Sequence, residues 1–200
     1  MAYIQKQFGQ TLPLSILLQE PTIEHLARAL RQKAVSSTGS SLVGINPNGS
    51  KRPFFCVHPA GGNVFCYIEL SQLLGPDQPF YGSQSAGLNG EQEPFTTIEE
   101  MASHYIEELR TVQTEGPYLI GGWSFGGVVA FEMAQQLRRQ NQKVSLLALL
   151  DIHTPLYKFE QEYYKANLEA LYNYTPNEVY KNKITLFRAT ERPELLLENN

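Results

Sequence analysis

A chain of 200 residues that is 42% hydrophobic and carries a net charge of −4 suits one packed domain with a small appendage. The charge, and the lack of any basic stripe, argue against nucleic acid as a partner. No apolar run approaches the ~18 residues that span a bilayer, so a membrane is not expected either.

Residues 1–35 read as a small helical piece. Thr22 is a suitable N-cap, and Glu24 sits in the first turn, where the helix dipole favours an anion. Ile23, Leu26, Ala27 and Leu30 follow at helical spacing. Some thirty residues cannot bury a core alone, so this piece docks elsewhere or belongs to a larger bundle. The N-terminus has one early Lys and a Pro-interrupted apolar patch with no A-x-A site, which is not the pattern of a signal peptide. Residues 36–51 open on Ser36 to Ser41, polar and Gly-containing, and read as a linker. Within it Leu42 to Ile45 can start a first strand, and Asn46-Pro-Asn-Gly49 is turn chemistry.

Residues 52–200 form the main unit. Pro53-Phe-Phe-Cys-Val-His58 predicts a buried strand, broken by Pro59-Ala-Gly-Gly62, and Val64 to Leu74 a helix. Phe80 to Ser83 predicts another short strand. Thr97-Ile-Glu-Glu100 is a capping box, and Ile98, Met101, Ala102, Tyr105, Leu109 and Val112 share one apolar face behind it. His104 falls off that stripe and reads as a solvated helix residue. Cys56 and Cys66 lie in apolar stretches without a C-x-x-C, which predicts two buried thiols in a reducing cytoplasm and no disulfide or zinc site.

The stretch Tyr118 to Glu132 carries the chemistry. An apolar strand pattern leads into Gly122-Trp123-Ser124-Phe125-Gly126, and Val128, Val129, Met133, Ala134 and Leu137 lead out at helical spacing. A G-x-S-x-G between a strand and a helix is the context of a nucleophile elbow, with Ser124 as the nucleophile. A side chain at 122 or 126 would collide with the turn. The helix start beneath the Ser favours negative charge. In this arrangement the oxyanion donors are the backbone N–H of Phe125 and one from an upstream strand–loop, here Ala60. Val144 to Leu150 predicts the next buried strand. Asp151 ends it, where open α/β sheets place their sites and where the order Ser, acid, His puts the acid. The β–α rhythm implies a parallel sheet with helices on both faces. Tyr157 to Tyr174 reads as helical, and Ile184 to Ala189 as a further strand.

Two resemblances follow from these motifs. Phe8 to Ala27 resembles the last half of an acyl or peptidyl carrier domain, whose phosphopantetheine-bearing Ser would lie before the first residue here. Phe54 to Gly62, Gly121 to Gly127, Leu146 to Asp151 and Leu186 to Ala189 resemble the thioesterase domains that end nonribosomal peptide and polyketide synthases. The resemblance implies an α/β-hydrolase fold. It implies release of an acyl or peptidyl chain from a carrier's phosphopantetheine thioester, by hydrolysis or cyclisation, with no cofactor bound by the thioesterase domain itself. It also implies a helical lid, of which Ile152 to Lys183 would be a short version, and a catalytic His after the Leu186 to Ala189 strand. No His follows His153. His58 matches a motif position without being the base, and His25 belongs to the carrier piece. The expectation is therefore a domain incomplete at its C-terminus and poorly active alone. The alternatives are a free-standing editing thioesterase or esterase, and a non-catalytic docking remnant.

Overall fold

The computed structural model describes residues 4, 7–9, 12, 16, 22–31, 40–88, 93–152 and 162–190. Helix α1 spans Ile23–Arg31, capped where the Thr22 hydroxyl accepts from His25 N–H at 3.1 Å. Leu12, Ile16 and Ala29 form a small apolar cluster with Ile4, Leu26 and Leu30.

Six strands then make one sheet: β1 (Leu42–Asn46), β2 (Phe54–Val57), β3 (Phe80–Ser83), β4 (Tyr118–Trp123), β5 (Val144–Leu150) and β6 (Thr185–Phe187). Their spatial order is β1-β3-β2-β4-β5-β6. β1 runs antiparallel to β3, and the other neighbours are parallel. The parallel strands need crossovers, and helices α2 (Ile68–Leu74), α3 (Ile98–Leu109), α4 (Phe125–Arg139) and α5 (Glu162–Asn173) lie in those connections.

Alternation along the strands divides the core in two. Phe55, Val57, Tyr118, Ile120, Leu147 and Leu149 face α3, α4 and α5. Phe54, Cys56, Phe80 and Ala148 face Val64 and Tyr67 on the other side, with Leu70 of α2 packed against them. Both faces of the sheet are therefore covered, which is why β2 is buried at every position. Burying one such Leu, Ile or Phe stabilises the fold by roughly 1.5–3 kcal/mol. The Thr97 cap of α3 is present: its hydroxyl accepts from Glu100 N–H at 3.3 Å and donates to the Glu100 carboxylate at 2.9 Å.

One expectation at the sheet edge holds, and three others change. The strand expected at Leu42 to Ile45 within segment 36–51 is β1, which extends the sheet past β3. Ser41 just before it is already tied down, its N–H donating to Glu108 at 2.7 Å. The Val64 to Leu74 stretch divides into a 3-10 turn at Phe65–Tyr67 and α2. That turn points Cys66 outward, so only Cys56 of the two free thiols is buried. His104 is not a solvated residue: its ring packs on those of Phe95 and Tyr105, and Nε2 lies 3.4 Å from the Ser41 hydroxyl.

Candidate active site

Three loops converge at the C-terminal edge of β2, β4 and β5. The central one is the turn from β4 into α4. Ser124 there has φ 53 and ψ −122, a conformation that strains any residue with a Cβ. Its N–H donates to Leu150 O at 2.9 Å, and its carbonyl accepts from Gly127 N–H at 3.0 Å. The turn is tight because two residues have no side chain. A Cβ on Gly122 would lie 2.2 Å from Gly126 C, and one on Gly126 only 2.2 Å from Val57 O. The start of α4 thus rests directly on the end of β2. There Phe125 is buried, and its N–H belongs to the first helical turn, where no intrahelical acceptor exists. As β2 and β4 diverge, Tyr67 bridges them. Its hydroxyl donates to Val57 O at 2.5 Å and accepts from Trp123 N–H at 2.8 Å.

The second loop, Pro59 to Gly62, follows β2. Gly62 N–H closes it on Pro59 O at 2.8 Å. His58 is wholly buried at its base, with Nδ1 2.7 Å from Pro59 O and Nε2 2.9 Å from the Tyr105 hydroxyl. Burial lowers the His58 pKa from 6.5 to about 4, the hydrogen bond to Pro59 opposing this only in part. From the opposite side, Asn167 of α5 donates its amide to Ala60 O at 3.1 Å. Asn167 is itself wholly buried.

The third loop follows β5. Register sets Trp123 beside Leu150, so the next residues, Ser124 and Asp151, leave neighbouring strands at the same edge. Asp151 has φ 40, its N–H donates to Phe187 O at 2.6 Å, and its Oδ1 accepts from Ala189 N–H at 3.4 Å. β6 therefore fixes the turn that presents the carboxylate.

Ser124, Asp151, Phe125 and Ala60 thus come together at one edge. None of the histidines among the described residues completes them. Both ring nitrogens of His58 are engaged, His104 lies at the outer side of α3 against Ser41 and Glu108, and His25 is on α1. His153 lies outside the described residues. Nothing in the sequence marks Tyr67, Tyr105 or Asn167 as contributors. Tyr105 stood out only as part of an apolar stripe, and a helical Asn or a Tyr near a turn carries no signal of a partner far away in the chain.

A serine in a strained strand–helix turn, on a mostly parallel sheet in this order with the acid on the next strand, defines an α/β-hydrolase fold. The chain belongs to the thioesterase domain family, which it matches over residues 52–199. It is 41% identical over 153 residues to a dimodular nonribosomal peptide synthase of Bacillus subtilis (strain 168), covering 76% of this chain and 6% of that protein. Among solved structures it resembles holo-AB3403, a four-domain nonribosomal peptide synthetase, with a TM-score of 0.72 and 26% identity over 94% of this chain and 19% of that one. It also resembles the NocB thioesterase domain in covalent complex with a fluorophosphonate nocardicin G analogue, with a TM-score of 0.64 and 30% identity over 72% and 76% of the two chains. The chain therefore spans only a small part of the synthetases it matches.

Proposed function

We propose that this domain releases an acyl or peptidyl chain from the phosphopantetheine thioester of a carrier domain, within a nonribosomal peptide synthetase, through an ester on Ser124. The observation that carries the reading is the Ser124 turn, with its strained φ of 53 and its seat on the start of α4. Ser124 Oγ would attack the thioester carbonyl, forming the C–O bond. The N–H groups of Phe125 and Ala60 would hold the oxyanion, and collapse would break the C–S bond. A thiol with a pKa of ~8.5 leaves with little acid assistance. Water, or a nucleophile on the same chain, would then take the acyl group from Ser124. Asp151 would orient the base and stabilise its charged form.

The Ser124 proton needs an acceptor. His58 cannot serve, because a carbonyl and a hydroxyl occupy both of its nitrogens. The base is then an imidazole outside the described residues, which the family pattern puts downstream of β6. The 200-residue chain alone should accordingly hydrolyse an acyl-pantetheine near background, and label slowly with a fluorophosphonate. Losing one triad member leaves only ~10³–10⁴-fold catalysis over water. Supplying a downstream segment with a strand and a His loop should raise both rates, and Ser124→Ala should abolish the gain. Rapid hydrolysis by the chain alone that survives Ser124→Ala would overturn the nucleophile. Rapid hydrolysis lost in His153→Ala would put the base at His153 instead.

A further inference from the structure

In the proposed mechanism the peptide unit between Pro59 and Ala60 is the one whose N–H meets the oxyanion. A trans peptide directs its C=O and N–H oppositely, so whatever holds the Pro59 carbonyl aims the Ala60 N–H. Two donors hold it: Gly62 N–H at 2.8 Å and the His58 ring at 2.7 Å. The second contact selects a tautomer. A carbonyl only accepts, so His58 Nδ1 carries the proton and Nε2 keeps a lone pair. The Tyr105 hydroxyl, 2.9 Å from Nε2, must then be the donor. His58 and Tyr105 are both 0% exposed, so no solvent competes for either ring nitrogen. The same imidazole stacks on Phe125, with centroids 5.6 Å apart and planes 27° from parallel. One buried ring therefore contacts both the Pro59–Ala60 peptide and the Phe125 side chain.

We propose that His58 is a positioning residue of the oxyanion hole. Held in its Nδ1–H tautomer between Pro59 O and the Tyr105 hydroxyl, it aims and polarises the Ala60 N–H and takes no proton from Ser124. This rests on the reading of Ser124 as nucleophile. Donation to a peptide carbonyl draws electron density toward oxygen and makes the attached N–H a better donor. The arrangement also explains why a histidine, and not an aliphatic residue, occupies a wholly buried position there: its two nitrogens meet one acceptor and one donor.

The test separates the two ring positions. In His58→Asn the side-chain amide nitrogen falls near Nδ1 and can still donate to Pro59 O. In His58→Gln it reaches toward Nε2 and cannot. Both lose the aromatic stack, so a merely structural role predicts equal effects. The first measurement is the ¹⁵N spectrum of the whole chain labelled at histidine. His58 should show a protonated Nδ1 and a bare Nε2, and in Tyr105→Phe, which removes one buried oxygen, Nδ1 should keep its proton on Pro59 O while the Nε2 resonance moves with the loss of its donor. The second is binding of a phenylalkyl boronic acid, which needs no turnover. Ser124 Oγ bonds to boron, its proton goes to the buffer, and a boron-bound oxygen enters the hole. Asn at 58 should bind within ~3-fold of the parent, and Gln ~10–100-fold more weakly, approaching the loss of one oxyanion donor. An Nε2-protonated ring in the parent, or equal losses in both folded variants, would overturn this proposal alone. A parent that binds boronate no better than Ser124→Ala would overturn the nucleophile reading, and this proposal with it, whatever the tautomer.

Discussion

Replacing Ser124 by Ala and, separately, by Gly isolates the strain in the elbow. Both variants lose the hydroxyl, the proposed nucleophile. They differ in the Cβ, which φ 53 and ψ −122 disfavour. A non-Gly residue held in such a region costs about 1–3 kcal/mol. Glycine gives back part of that gain, because it adds about 0.4–1 kcal/mol of freedom to the unfolded chain. The Gly variant should therefore be more stable than the Ala variant by about 1 kcal/mol. In a domain of this size that is a rise in Tm of about 2–4 °C. The assay is urea unfolding of both variants at pH 7, with equal m-values as the check that the unfolded states match. A Gly variant no more stable than the Ala variant would mean that the turn stores no strain, and the central observation behind the nucleophile assignment would fall with it.

Gly126→Ala would put a methyl 2.2 Å from Val57 O and 2.6 Å from His58 O, both backbone atoms, so α4 and β2 must part by roughly 1 Å. A loss of about 3 kcal/mol in urea unfolding is expected. Gly61→Ala, two residues after Pro59 with its nearest atom 3.9 Å away, should unfold within about 0.5 kcal/mol of the parent. His58 makes stability depend on pH. Its pKa is about 4 folded against 6.5 unfolded, so between those values the unfolded chain binds the extra proton. Stability at this site is complete above pH 6.5 and falls by up to about 3 kcal/mol as pH drops toward 4. Urea midpoints measured from pH 7 to 4.5 should fall less steeply in His58→Asn, and parallel slopes would contradict the buried neutral ring.

The parts legible in sequence share one property: their partners are close along the chain. The Ser124 elbow declares itself because strand, glycines and helix occur within some fifteen residues, and Asp151 because it ends the very next strand. Ala60 follows from motif order. What escaped depends on distant pairing. Tyr105 and His58 are 47 residues apart, and Asn167 and Ala60 are 107 apart. Periodicity placed Tyr105 on the buried face but says nothing about where its hydroxyl points. It misjudged His104, because the stripe on α3 records only the packing against the sheet. The contacts with Phe95 and Ser41 come from other segments. Cys66 escaped because one 3-10 turn in an apolar stretch rotates its side chain outward, and composition does not register such a rotation.

The clamp that β6 places on Asp151 sets an order of assembly in time. Everything that bends the chain at Ser124 lies at or before Ile152, so the elbow can close while later residues are still being synthesised. The Asp151 turn is also held by bonds with Phe187 and Ala189. During vectorial synthesis the nascent chain therefore passes through an interval in which the turn at its serine can form but the clamp on Asp151 cannot, because β6 has yet to be made.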